Sequence, residues 1–169
     1  MPSSLIENYR RLAAYNRLAN EKLYAACAQL SDEERKAERP AFFKLIHGTL
    51  NHIMVGDGIW MTRFGGGEAP STGLDAILYG DFDALRAARA IKDAEIEAFA
   101  KGLTDAFLGS SVRYVNNEGV AFDDPMALCV THFFNHQTHH RGQVHDMLSQ
   151  TDVPPPSLDL HRVLRPAPG

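Results

Sequence analysis

Apolar positions recurring at alternating three- and four-residue intervals divide this chain into four long predicted helices. The first runs from about Ser4 to Leu30, where Leu5, Tyr9, Leu12, Asn16, Ala19, Leu23, Ala26 and Leu30 share one face. Ser3 or Ser4 is placed to cap it, with Glu7 as the returning half of a capping box. The charged stretch from Ser31 to Arg39, closed by Pro40, reads as a solvated loop or a short helical turn. A second helix is predicted from about Phe42 to Phe64, with Phe43, Ile46, Leu50, Ile53, Asp57, Trp60 and Phe64 in one row. Beside it lies a second row, Leu45, Thr49, His52, Gly56 and Ile59, so this helix is expected to be buried on more than one side. Gly65-Gly66-Gly67 ends it. That run is no phosphate loop, because no Gly-Lys-Ser/Thr follows.

After a long polar linker, Asp81 or Asp83 starts a third helix reaching about Lys101. Rich in alanine and charge, it is expected to be the most exposed of the four. Ser110 to Val115 and Val120 to Phe122, flanking Asn116-Asn117-Glu118-Gly119, predict a small hairpin. A hairpin this short must lean on the bundle. The fourth helix is predicted from Asp124-Pro125, a capping residue before a proline in the first turn, to about Gln150. Pro154, Pro155 and Pro156 end it, and a last segment, Leu158 to Leu164, is expected to dock on the bundle. Four helices with little strand make an all-α four-helix bundle with a small β-hairpin before the last long helix.

Composition narrows the setting. With 169 residues, 44% of them hydrophobic, the chain suits one domain spanning residues 1–169 with an ordinary core. Its net charge of −4 is not that of a nucleic-acid or anionic-membrane binder, which relies on Lys and Arg to neutralise phosphates. Two cysteines, Cys27 and Cys129, make no disulfide framework and are read as small core residues. No signal peptide and no membrane-length apolar run are visible, so a cytoplasmic, reducing setting is expected.

Eight histidines are the anomaly, and five of them lie between His132 and His145. In a helix, residues four apart stand on one face about 6 Å apart along the axis, so two imidazoles can reach one ion. His132, His136 and His140 fit such a stripe, but the outer two are about 12 Å apart and cannot share one. The pair is therefore His132 with His136, His136 with His140, or one through His139. Val130, Phe133, Phe134, Gln137, Val144 and Met147 mark the buried side, which favours His136 and His140. Gly142 offers room for another element to approach. The competing reading has these rings filling a helix face, bonded to carbonyls or water.

A third ligand must come from elsewhere. On the second helix, at about 100° per residue, His47 falls on a polar strip with Lys44 and Asn51 and is expected to face solvent. His52 falls in the buried row, with Gly48 and Gly56 one turn either side leaving space for an ion and a water. Three neutral imidazoles with an open fourth position are the arrangement of a catalytic metal rather than a structural one. Imidazole suits Zn, Ni, Fe and Cu alike. Asn16 and Asn20 lie on or near the apolar face of the first helix and either orient a ligand or substrate or fix helix register. Gln143 is a candidate to orient a ligand histidine, and Asp57, amid an apolar row, needs an Arg or His partner.

Three segments, Tyr15-Asn16-Arg17-Leu18-Ala19-Asn20, His52 with Asp57 and Trp60, and His136-Gln137-Thr138-His139-His140-Arg141-Gly142-Gln143, resemble the DinB/YfiT superfamily of metal-binding four-helix bundles. The resemblance implies an up-down-down-up helix order in place of a simple antiparallel one. It implies a divalent transition metal, Zn or Ni ahead of Fe or Mn, held by His52, His136 and His140. Homodimers are common among such relatives. Those of known activity are thiol-dependent S-transferases or isomerases using low-molecular-weight thiols such as bacillithiol or mycothiol. The expected function is thus a metal-dependent enzyme acting on a small molecule, with a thiol or a water activated at the open position, by S-transferase-like or hydrolase chemistry. The alternatives are a non-catalytic metal-binding or stress-responsive protein and a purely structural bundle.

Overall fold

A computed structural model describes residues 4–70, 72–116 and 118–167. In chain order the elements are α1 (Ser4–Cys27), α2 (Asp32–Arg35), α3 (Ile46–Phe64), α4 (Phe82–Gly102), α5 (Asp105–Leu108), β1 (Ser111–Val115), β2 (Ala121–Pro125), α6 (Met126–Leu148) and α7 (Leu160–Leu164). The four long helices are those the periodicity predicts, and the charged connector holds the short turn α2, capped by Ser31 and Glu34.

Several boundaries differ from the expected ones, each for a local reason. The first helix ends at Cys27, because Gln29 and Leu30 bond back only three residues, to Ala26 and Cys27. The second begins at Ile46 instead of Phe42, because Lys44 takes a left-handed φ of 59°. Phe43 is therefore not a helical core residue. Ser3 lies outside the described residues; Ser4 is already helical and Glu7 pairs with Arg10. Asp124 belongs to β2 and accepts the Tyr114 hydroxyl, so Pro125 occupies the N-cap of the last long helix without a side-chain cap.

Contacts fix the directions. Tyr9 bonds Ala127 and Asn16 meets Arg141, so α1 and α6 run parallel. His52 lies against His140 and Trp60 against His132, so α3 opposes α6. Asp57 pairs with Arg89 and Phe64 stacks on Phe99, so α3 and α4 are parallel. The order is up-down-down-up. The parallel pair α3 and α4 requires the 65–81 connection to return along the bundle. In doing so it passes over α3, where Tyr79 receives hydrogen bonds from Asn51 and His47.

The core is layered along the bundle axis. One apolar layer holds Tyr9, Phe64, Ile96, Phe133 and Phe134, the other Leu23, Leu50, Leu85, Val144 and Met147. Between them all four long helices contribute polar side chains buried to 2% exposure or less: Asn16, Asn20, Asp57, Arg89, Asp93, Gln137 and Arg141. Asp57 accepts Arg89 and, at 2.8 Å, Gln137; Asp93 accepts Asn16 and Asn20, each at 2.9 Å, and pairs with Arg89 at the same distance. Arg141 donates to Asn16 and Thr138. Buried charges persist only when paired and hydrogen-bonded, and two arginines here balance two aspartates. Asn16 and Asn20 thus fix register and do not touch the histidines. α4 is the most exposed long helix, with six buried residues over its length. The hairpin, in register from Ser111 opposite Pro125 to Val115 opposite Ala121, leans on the bundle through buried Val112.

Candidate metal centre

His52 on α3 and His136 and His140 on α6 converge at the level of the polar layer. Nε2 of His52 lies 3.2 Å from Nε2 of His136 and 3.1 Å from Nε2 of His140. The three form a group whose nitrogens could hold a metal ion. Nitrogens about 2.1 Å from a tetrahedral ion stand about 3.4 Å from one another, close to the separations observed.

Proton bookkeeping sharpens the chemistry. Nδ1 of His52 lies 2.6 Å from the Leu74 carbonyl, and Nδ1 of His140 lies 2.8 Å from Oε1 of Gln143. Both oxygens can only accept, so each ring carries its proton on Nδ1 and a lone pair on Nε2. Gln143 is held in this orientation by its amide nitrogen, 3.2 Å from Nε2 of His139. Two lone pairs facing each other at 3.1 Å cannot hydrogen-bond with one another, and a metal ion between them would accept both. Burial holds all three rings neutral near pH 7. It pushes His136 down to about 3, with the neighbouring imidazoles adding to the effect, and His140 down to about 4 against the pull of Gln143. Burial also lowers His52, opposed by its bond to Leu74. Neutral imidazole is the form a metal takes.

Local sequence explains the convergence. Gly56, one turn after His52, leaves the space that the His136 ring fills: a Cβ there would lie 2.7 Å from Cε1 of His136. Phe43, just before α3, stacks on His52 at 4.0 Å and meets His140 edge-on at 5.6 Å, closing one side of the group. The other side opens into a cavity of about 330 Å³ walled by Trp60, Arg63, Asn116, Glu118 and His132 beside His52 and His136.

Of the remaining sequence candidates, Gln143 does orient a histidine of the group, and Asp57 has its arginine. His132 lies against His136, ring centroids 5.8 Å apart, outside the three-nitrogen group. His47 corrects the expectation of a solvent-facing ring: it is 2% exposed and its Nε2 lies 2.8 Å from the Tyr79 carbonyl, because the returning 65–81 segment covers that strip. Gly142 accommodates no neighbour; nothing described lies within 4 Å of a Cβ placed there. Phe43 and Leu74 went unread as site residues. The aromatic pair Phe42-Phe43 just after Pro40 was the available signal for Phe43; a backbone carbonyl such as that of Leu74 has none.

The sequence model of the DinB family matches residues 1–168. Among curated proteins, Protein DinB of Bacillus subtilis (strain 168) is 25% identical over 156 residues, covering 83% of this chain and 84% of that protein. No described helix is long and apolar enough to cross a membrane.

Proposed function

The chain belongs to the DinB family, and from that premise we propose that it is a metal-dependent enzyme in which His52, His136 and His140 hold one divalent transition-metal ion. The observation that carries this reading is the pair of lone pairs on Nε2 of His52 and His140, aimed at each other and at His136 across 3.1 and 3.2 Å. Zn or Ni leads in this reading, ahead of Fe or Mn, although the imidazoles themselves suit Fe as well. Such an ion, when bound, draws the pKa of a coordinated water toward about 7 or holds a thiol as thiolate.

The chain's own residues supply the rest. Leu74 and Gln143 fix the tautomer and aim of two rings, which keeps their nitrogens basic. Phe43 screens one side from water, so a substrate enters from the cavity along Trp60 and His132. The reading takes a small molecule as substrate, with a low-molecular-weight thiol as the partner activated at the open position.

Protein purified without chelator is expected to carry about one divalent ion per chain by elemental analysis, and His136→Ala to lose it. Metal-free native protein would remove the proposal. Metal-loaded protein screened with thiols and electrophiles is expected to form conjugates that His52→Ala does not, which separates an enzyme from a metal-storing bundle. Gln143→Ala, leaving the three rings in place, is expected to weaken metal affinity about 10- to 100-fold in a chelator competition. An unchanged affinity would remove Gln143 from the site's support.

A further inference from the structure

Among the described residues four arginines are buried. Arg89 pairs with Asp57 and Asp93, Arg35 lies 3.8 Å from Asp32, and Arg141 bonds Asn16 and Thr138 through both terminal nitrogens. Arg63 is the exception. At 9% exposure it makes one hydrogen bond, from Nη2 to the Val115 carbonyl at 3.3 Å. Its Nε is buried without a partner, like those of the other three, and no carboxylate lies within 4 Å among the described residues, so that one carbonyl is all its terminal nitrogens meet. Its guanidinium is clamped between aromatic faces, 4.1 Å from the Tyr114 centroid and 4.9 Å from that of Trp60. Such clamping holds the fork rigid while leaving its edge free.

The position of this cation matters more than its isolation. Arg63 follows His52 by eleven residues on α3, about three turns, so both stand on the same stripe about 16 Å apart along the axis. Helical side chains lean toward the N-terminus, which brings the guanidinium back toward His52. Arg63 lines the cavity beside the histidines and also a second one of about 750 Å³ under the hairpin, walled by Tyr114, Val115 and Phe122. The other arginine of that second cavity, Arg113, is paired with Asp123 at 2.9 Å. One unpaired, fork-shaped cation therefore stands where the two spaces meet.

We propose that Arg63 is the anchor for a carboxylate on the substrate, so that the enzyme acts on small carboxylic acids whose reacting end reaches the three-histidine centre. A flat monoanion matches a flat fork bidentately. Glu68 and Glu118 on the cavity walls repel a dianion such as phosphate about twice as strongly as a monoanion. The apolar rings of Trp60, Tyr114 and Phe122 suit a hydrocarbon body between the two ends. This inference rests on the metal reading above and adds the class of substrate.

The test uses mercaptohexanoate and its uncharged amide as probes, titrated calorimetrically into the zinc-loaded full-length protein, whose metal content is measured in the same samples. The acid is expected to bind about tenfold or more tightly than the amide. In Arg63→Gln that preference is expected to fall below about twofold, with amide affinity unchanged, and Arg63→Lys to retain an intermediate preference. Equal binding of acid and amide to the unaltered protein overturns the proposal without recourse to any variant. A preference that survives in folded Arg63→Gln overturns it as well. Samples that hold zinc yet bind neither probe overturn the carboxylate anchor alone. Samples that hold no zinc overturn the metal reading and, with it, this one.

Discussion

Asp57→Ala is expected to lower the unfolding free energy by about 3–5 kcal/mol, the cost of removing one partner from a buried ion pair. Asp57 is fully buried and Arg89 is 2% exposed. Deleting the carboxylate leaves Arg89 with Asp93 alone and takes from Gln137 the acceptor of its amide, while Oε1 of Gln137 already lacks a partner. None of these groups can turn to water, because apolar layers close the bundle above and below. Urea denaturation measures the loss, and a change under about 1 kcal/mol would show that the polar layer is not the strut described. The double variant Asp57→Leu with Arg89→Met is expected to lose less than the sum of its parts, since the Asp57–Arg89 pair is removed whole, although Asp93 then keeps only Asn16 and Asn20.

Chelation is expected to lower the melting temperature of the native protein by about 8–16 °C. The ion adds about 4 kcal/mol when free metal stands at about 1,000 times its dissociation constant. At this chain length each kcal/mol moves the transition by about 2–4 °C. In His136→Ala, with the ion site dismantled, chelator is expected to move the transition by less than about 2 °C. A melting curve of metal-bound protein that ignores chelator would mean the three nitrogens bind nothing that stabilises the fold. The two experiments report on different parts of the same level of the bundle: Asp57 faces inward to Arg89 and Gln137, whereas the histidines face the open cavity.

The helices were legible because period-3.6 patterning survives wherever one side of a helix meets apolar neighbours. His136 and His140 were legible for the same reason, being adjacent to the row of Phe133, Gln137 and Val144. His52 stood out by lying between small residues, and the His136 ring does occupy the gap at Gly56. His47 was misread because a polar strip on a helix signals only the absence of another helix. Here that strip meets a segment of irregular chain whose carbonyls satisfy the imidazole and Asn51. Phe43 was misplaced because the aromatic spacing continues smoothly through Lys44, where the backbone turns left-handed. Asn16 and Asn20 carried a true signal of burial, yet their partner Asp93 sits more than seventy residues away on another helix. Pairings across such distances leave no mark in local periodicity.

The Leu74 carbonyl that steers His52 belongs to the returning stretch and not to any helix. Severing one peptide bond in that stretch would leave all four long rods and their interior intact, yet free the hinge on which one imidazole depends. A protease acting there would reach the histidine group without entering the core, and the fold would lose only the share of stability that a bound ion adds.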